Sequence, residues 1–231
     1  MHNSIMKWTS VVVSSSLLLI SSVTVLAEAD GKASQMSFFV TSESPGKGGD
    51  LGGLEGADKH CQKLAAAAGA GKRTWRAYLS TQGANLTDAD VVHARDRIGA
   101  GPWYNAKGEI IAKNVADLHS ANSNLTKQTA LDEKGNMVNG RTEKPNKHDI
   151  LTGSRPDGTA FGGRPLADMT CGNWTKGGAD GSAAVGHHDR VGPIDHEWAK
   201  SWNSAHQSLG CNPDALSKTG GVALLYCFAV K

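Results

Sequence analysis

No charge of either sign dominates this chain. Its 24 basic and 22 acidic residues leave a formal net charge of +2, which gives no general pull toward nucleic acid or an anionic membrane. None of its four cysteines, Cys61, Cys171, Cys211 and Cys227, forms a Cys-x-x-Cys pair, so a redox motif or a structural zinc finger is unsupported. There is no Gly-x-Ser-x-Gly elbow and no His-Glu-x-x-His, and an enzyme is therefore not expected. The glycine-rich stretch Gly46 to Gly53 lacks the terminal Lys-Ser/Thr of a phosphate loop. Between the first segment and the last strand no long apolar run occurs, no repeat is visible and no linker divides the chain.

What is present begins with a targeting signal. Lys7 gives a short positive start, Val11 to Ile20 is apolar and hydroxyl-rich, and Val25-Leu26-Ala27 ends the stretch as a small-residue cleavage site. The charge-free run from Trp8 to Ala27 is long enough to span a bilayer, but Ser and Thr interrupt it and no basic stop-transfer residues follow. Residues 1–27 are thus expected to be a signal peptide, 28–36 a disordered N-terminus and 37–231 a single domain, secreted or periplasmic, with no stable membrane insertion after cleavage. Four cysteines behind a signal peptide favour disulfides, with three pairings open.

Periodicity places the elements. Ser37 to Thr41 reads as a first strand. Leu54, Ala57, Cys61, Leu64, Ala65 and Ala68 recur on one helical face, and Gly69 is a stop, which predicts a helix over 54–68. Trp75 to Leu79 alternates as a second strand. A short helix is expected within Asn85 to Ile98, with Asp88 and Asp90 near its N-terminus. Short strands are expected at Ile110 to Ala112, Cys171 to Thr175 and Ala183 to His187, a helical turn at Val115 to Leu118, a strand end at Ile150 to Gly153 and a turn at Pro156-Asp157-Gly158. Gly221 to Val230 is nearly all apolar, the pattern of a central strand covered on both faces.

The stretch Cys61 to Ser80 resembles the endostatin module, in which a cysteine-bearing helix of Ala and Gln runs into an aromatic-Arg-Ala-aromatic-Leu-Ser strand. The likeness continues through Val91 to Arg97, Asn105 to Leu118, the Ile150 to Gly158 turn, Cys171-Gly172-Asn173-Trp174, Cys211 and Tyr226-Cys227. It implies the C-type-lectin-like α+β fold: a twisted, mainly antiparallel sheet, two helices, long loops and nested disulfides, Cys61–Cys227 and Cys171–Cys211. It also implies non-catalytic recognition of a glycan or extracellular protein. Endostatin's N-terminal zinc histidines have no counterpart here, and only Arg95 and Arg97 match its basic surface.

Three candidate sites remain. Glu143-Lys144-Pro145-Asn146 and Trp202-Asn203 are faintly similar to the calcium and sugar motifs of lectins, whose carboxylates and amides supply hard oxygens. Trp174, Trp198, Trp202 and Asn203 make a candidate aromatic ligand surface, since aromatic faces stack on sugar rings and anchor interfaces. The loop 187–206 is rich in His and Asp, and His187, His188, Asp189 and His196 are candidate zinc ligands. The plain structural alternatives are a core Trp174 and a polar loop over the sheet. Asn-x-Ser/Thr sequons start at Asn85, Asn124 and Asn173.

Overall fold

The computed structural model of the chain describes residues 35–230 together with Met1. Residues 2–27 of the expected signal peptide and residues 28–34 of the expected N-terminal segment lie outside the described residues. Met36 is already buried in the core.

The elements follow the chain as β1 (Phe38–Val40), α1 (Gly53–Ala67), β2 (Thr74–Ala77), α2 (Ala94–Arg97), β3 (Trp103–Tyr104), β4 (Ile110–Ala112), α3 (Val115–Leu118), β5 (Asp149–Leu151), β6 (Ala184–His187), a 3-10 turn (Trp198–Lys200), β7 (His206–Gln207), α4 (Pro213–Thr219) and β8 (Gly221–Val230). The architecture is α+β, and the ten-residue β8 is its axis. β1 runs antiparallel along one edge of β8, with Phe38 opposite Phe228. On the other edge β2 pairs antiparallel with the C-terminal half and β5 parallel with the N-terminal half. β6 and β7 extend the sheet antiparallel beyond β5. The sheet is therefore mixed, antiparallel apart from the β5–β8 pairing.

The apolar run of β8 splits between two cores, as alternation requires. Ala223, Leu225, Cys227 and Ala229 join Trp75, Leu79 and the inner face of α1 (Ala57, Cys61, Leu64, Ala65). Leu224, Tyr226 and Phe228 join Phe38, Tyr78, Trp103 and Trp202. Alanines on α1 let the helix lie close to the sheet, and the helix ends where Gly69 takes a left-handed conformation at φ 81°. Cys61–Cys227 ties α1 to β8, and Cys171–Cys211 ties two loops, so the nested pairing is present.

Three expectations change. Asn85 to Ile98 is helical only over α2. The Asp88 carboxylate accepts from the Asn85 N–H and closes a turn instead of starting a helix. Cys171 to Thr175 is not a strand: Cys171, Asn173 and Trp174 have φ of 48°, 55° and 69°, a left-handed turn. It is held where Thr170 Oγ1 and Asp168 Oδ2 accept from the Asn173 and Gly172 N–H groups. The helix α4 was not anticipated. Its signal is local, an Asn212 side chain that caps the Ala215 N–H and a proline at the first turn. Among the described residues no helix is long and apolar enough to cross a membrane.

Candidate metal centre

The register of the outer sheet assembles a cluster that the sequence scatters. Asp149 stands opposite His187 across the β5–β6 ladder. Val185, two residues before His187, stands opposite His206 across β6–β7. Directly paired residues share a face, as do residues two apart, so Asp149, His187 and His206 project to the same side. The β5–β8 register breaks between Asp149 and Ile150, whose partners on β8 are Gly221 and Leu224. Such irregularities re-aim a side chain. His148 immediately precedes β5 and stacks its ring on His187, centroids 4.2 Å apart and planes 17° from parallel.

Asp149 Oδ1 is the focus. His148 Nε2 lies 3.1 Å from it, His187 Nε2 3.3 Å and His206 Nε2 3.4 Å. Each ring has its other nitrogen committed. His148 Nδ1 faces Asp189 Oδ1 at 3.4 Å, His187 Nδ1 faces the Ala199 carbonyl at 2.7 Å, and His206 Nδ1 faces the Gln207 carbonyl at 3.0 Å. All three partners are acceptor oxygens, so the neutral imidazoles carry their protons on Nδ1. Each Nε2 then points a lone pair at a carboxylate oxygen. His148 Nε2, His187 Nε2 and both Asp149 oxygens are buried without a hydrogen-bond partner. Buried acceptors facing acceptors are costly, about 1–3 kcal/mol for each unsatisfied group, and a cation between them removes that cost.

A proton on a ring nitrogen is the other way to answer these contacts. Burial alone would raise the Asp149 pKa, but the imidazoles of His187, His206 and His148 outweigh it and hold the carboxyl below its ordinary value. Burial pulls His206 down, yet Asp149 outweighs it and the His206 pKa is raised. A proton on His206 thus answers one of the three contacts, while His148 and His187 still face the carboxylate.

The donor set fits a small divalent ion. His148, Asp149 and His187 each offer a ligand atom, all mutually within 4.8 Å. His206 is not part of that mutually close group, although its Nε2 reaches Asp149 Oδ1 at 3.4 Å. Three imidazoles and one carboxylate suit zinc or copper. They do not suit calcium, which takes six to eight oxygens. The His148–Asp189 contact has the form of the carboxylate support that orients a histidine when it holds a metal. Asp189 also accepts from the Arg141 and Val191 N–H groups. Although burial opposes it, these bonds with His148 keep the Asp189 carboxyl well below its usual range.

Of the four metal candidates read from the sequence, only His187 joins the cluster. Asp189 is its outer support. His188 turns away, its Nε2 on the Asn139 carbonyl, and burial pushes its pKa down to about 4. His196 is exposed beside Trp198. His148 and Asp149 were missed because they close a polar loop 40 residues earlier, and only the β5–β6 register brings them to His187.

The aromatic surface is largely internal. Trp174 is buried, its Nε1 donating to the Ser80 carbonyl. Trp202 packs on Tyr78 and Tyr226. The buried Asn203 amide donates to Tyr78 Oη and to the Arg155 and Pro156 carbonyls. These three are buried, and of the set only Trp198, 45% exposed, faces solvent. The expected calcium loop is also occupied: Glu143 pairs with Lys127 at 2.6 Å and accepts from the Gly140 N–H, and Asn146 Oδ1 accepts from the His148 N–H.

No family model matches the chain, and no curated protein matches its sequence.

Proposed function

We propose that this chain is a metal-binding protein of an oxidising compartment, secreted or periplasmic, built on a C-type-lectin-like, endostatin-like scaffold. A divalent ion, with zinc the best match to the donors, is held by His148, Asp149 and His187, with His206 as the fourth ligand. One observation carries the reading: three imidazole Nε2 atoms converge within 3.4 Å on a single buried carboxylate oxygen while every Nδ1 is already committed. The buried His148–Asp149–His187 group has a fixed geometry, which lowers the ordering cost of coordination.

The test is metal analysis of untagged protein, stripped with chelator, reloaded with zinc and dialysed. About one zinc per chain is expected, falling to background in a His148→Ala/His187→Ala double variant. Less than about 0.2 zinc per chain in the wild type defeats the reading.

Recognition of a glycan or an extracellular protein is the second reading. It rests on the loop that leaves the sheet at His187 and returns at His206, which presents Val191, Ile194 and Trp198 at 42%, 55% and 45% exposure. A glycan array run with zinc and with EDTA tests it. Binding lost on Trp198→Ala with the fold intact supports it, and silence in both conditions removes the glycan version.

A further inference from the structure

The four groups around the proposed ion are not held alike. Asp149 is set by the β5–β6 ladder, His187 by the same ladder and the Ala199 carbonyl, and His148 by Asp189, itself anchored by two backbone N–H groups. Each tie reaches a distant part of the chain. His206 is held otherwise. Its Nδ1 meets only the carbonyl of Gln207, the next residue, and it sits in a two-residue strand whose one ladder partner is β6. Its side chain is 27% exposed, against 0–1% for the other three. Rotating it outward breaks one local hydrogen bond and opens the cluster to solvent.

A cation lies close to the cluster's outer support: the Arg141 backbone N–H donates to Asp189 Oδ2, the carboxylate that meets His148, and Arg141 is exposed. Arg141 also lines, with Lys127, Glu143 and Asp189, a cavity of about 210 Å³. A guanidinium is a ready partner for an anionic oxygen or nitrogen donor.

We propose that His206 is an exchangeable ligand, and that a small anion, a carboxylate or an inorganic anion, takes its coordination position beside Arg141 while His148, Asp149 and His187 keep the metal. The inference rests on the metal-binding reading above. It makes the centre a three-ligand site with an openable fourth position, the arrangement that separates reactive from purely structural zinc sites. The exchange is a ligand substitution: the His206 nitrogen–metal bond breaks, the anion–metal bond forms, and no electron or proton transfer is required.

The experiment uses the full chain loaded with cobalt(II), whose visible bands report coordination, titrated with azide. Wild-type protein is expected to hold about one cobalt and to shift its bands saturably with azide. His206→Ala is expected to keep its cobalt and bind azide at least about tenfold more tightly, because a tethered competitor has been removed. Arg141→Ala is expected to weaken azide about tenfold at unchanged cobalt stoichiometry, the loss of one charge-assisted contact. The proposal is overturned if azide leaves the spectra of both wild type and His206→Ala unchanged, or if His206→Ala loses cobalt as fully as His148→Ala, which would make His206 a fixed ligand. Failure of the wild type to take up cobalt or zinc overturns the metal-binding reading itself, and this proposal with it, an outcome distinct from the other two.

Discussion

The two ends of the sheet are held by opposite means. Around β2 and the C-terminal half of β8, stability comes from apolar burial and a covalent tie: Trp75, Phe39 and Leu225 pack under α1, and Cys61–Cys227 joins helix to strand. At β5–β6–β7 the sheet carries three histidines and an aspartate on one face, with acceptor atoms facing one another. The first end is complete without any other species. The second leaves His148 Nε2, His187 Nε2 and both Asp149 oxygens without hydrogen-bond partners, and buried polar groups left so in a native fold ask for an explanation. If the metal-binding proposal holds, the two ends respond differently to reduction, chelation and pH, and that difference is measurable.

Breaking the covalent end has the largest effect. Cys61 and Cys227 are 166 residues apart in sequence, which in the chain-entropy model is worth about 5 kcal/mol of stabilisation. Cys61→Ala/Cys227→Ala is expected to lower the unfolding free energy, read from denaturant titration, by that order and to leave zinc stoichiometry unchanged in the protein that remains folded. Loss of zinc in parallel with stability would show that the two ends are one cooperative unit.

The metal end sharpens the comparison through sign. Zinc at about a thousandfold excess over its Kd raises stability by about 4 kcal/mol, read as a rise in Tm that EDTA reverses. Asp149→Asn should abolish that rise. Without metal, however, the variant should be more stable than the wild type by about 1–3 kcal/mol, because an amide donates to an imidazole Nε2 that the carboxylate leaves unpaired. A metal-free Asp149→Asn protein less stable than the wild type would mean that protonated histidines already satisfy the cluster.

A third measurement separates titration at the metal-free end from titration at the cluster. His119 lies apart from the cluster, accepting from Tyr78 Oη at 2.7 Å and donating from Nδ1 to the Val115 carbonyl. Burial lowers its pKa. Below the unfolded value of about 6.5 the unfolded chain takes a proton that the folded ring resists. Its contribution is therefore absent above that pH and destabilising as pH falls from there toward the folded value. His119→Gln should flatten the metal-free stability curve across that window, and an unaltered curve would remove His119 as the source.

How much of this was legible divides along the same line. Local patterns are written in sequence: the alanine face of α1 and the apolar run of β8 could be read because period and composition determine burial, whereas the nested disulfides followed only from the resemblance to the endostatin module. The cluster could not be read, because the pair His148-Asp149 meets His187 and His206 only through ladder register, and register is a tertiary fact. The His-rich loop contributes His187 to the cluster, while its neighbour His188 faces Asn139 instead. Trp174 and Trp202 misled for a related reason, since a tryptophan's value to a core and to a ligand surface looks identical in one dimension.

The smallest effect tests the loop that the metal end supports. Trp198 is 45% exposed and lies on the 3-10 turn between His187 and His206, so Trp198→Ala should change stability by no more than about 0.5 kcal/mol, with or without zinc. Trp202, four residues on and 3% exposed, should cost about 3–5 kcal/mol on truncation. The contrast gives Trp198 its meaning. A large exposed aromatic that contributes nothing to the fold is free to serve a partner, so a glycan or protein ligand that loses affinity with Trp198→Ala would be recognised by the loop itself. Equal stability losses for the two tryptophans would instead place Trp198 in the fold and remove it from the recognition reading.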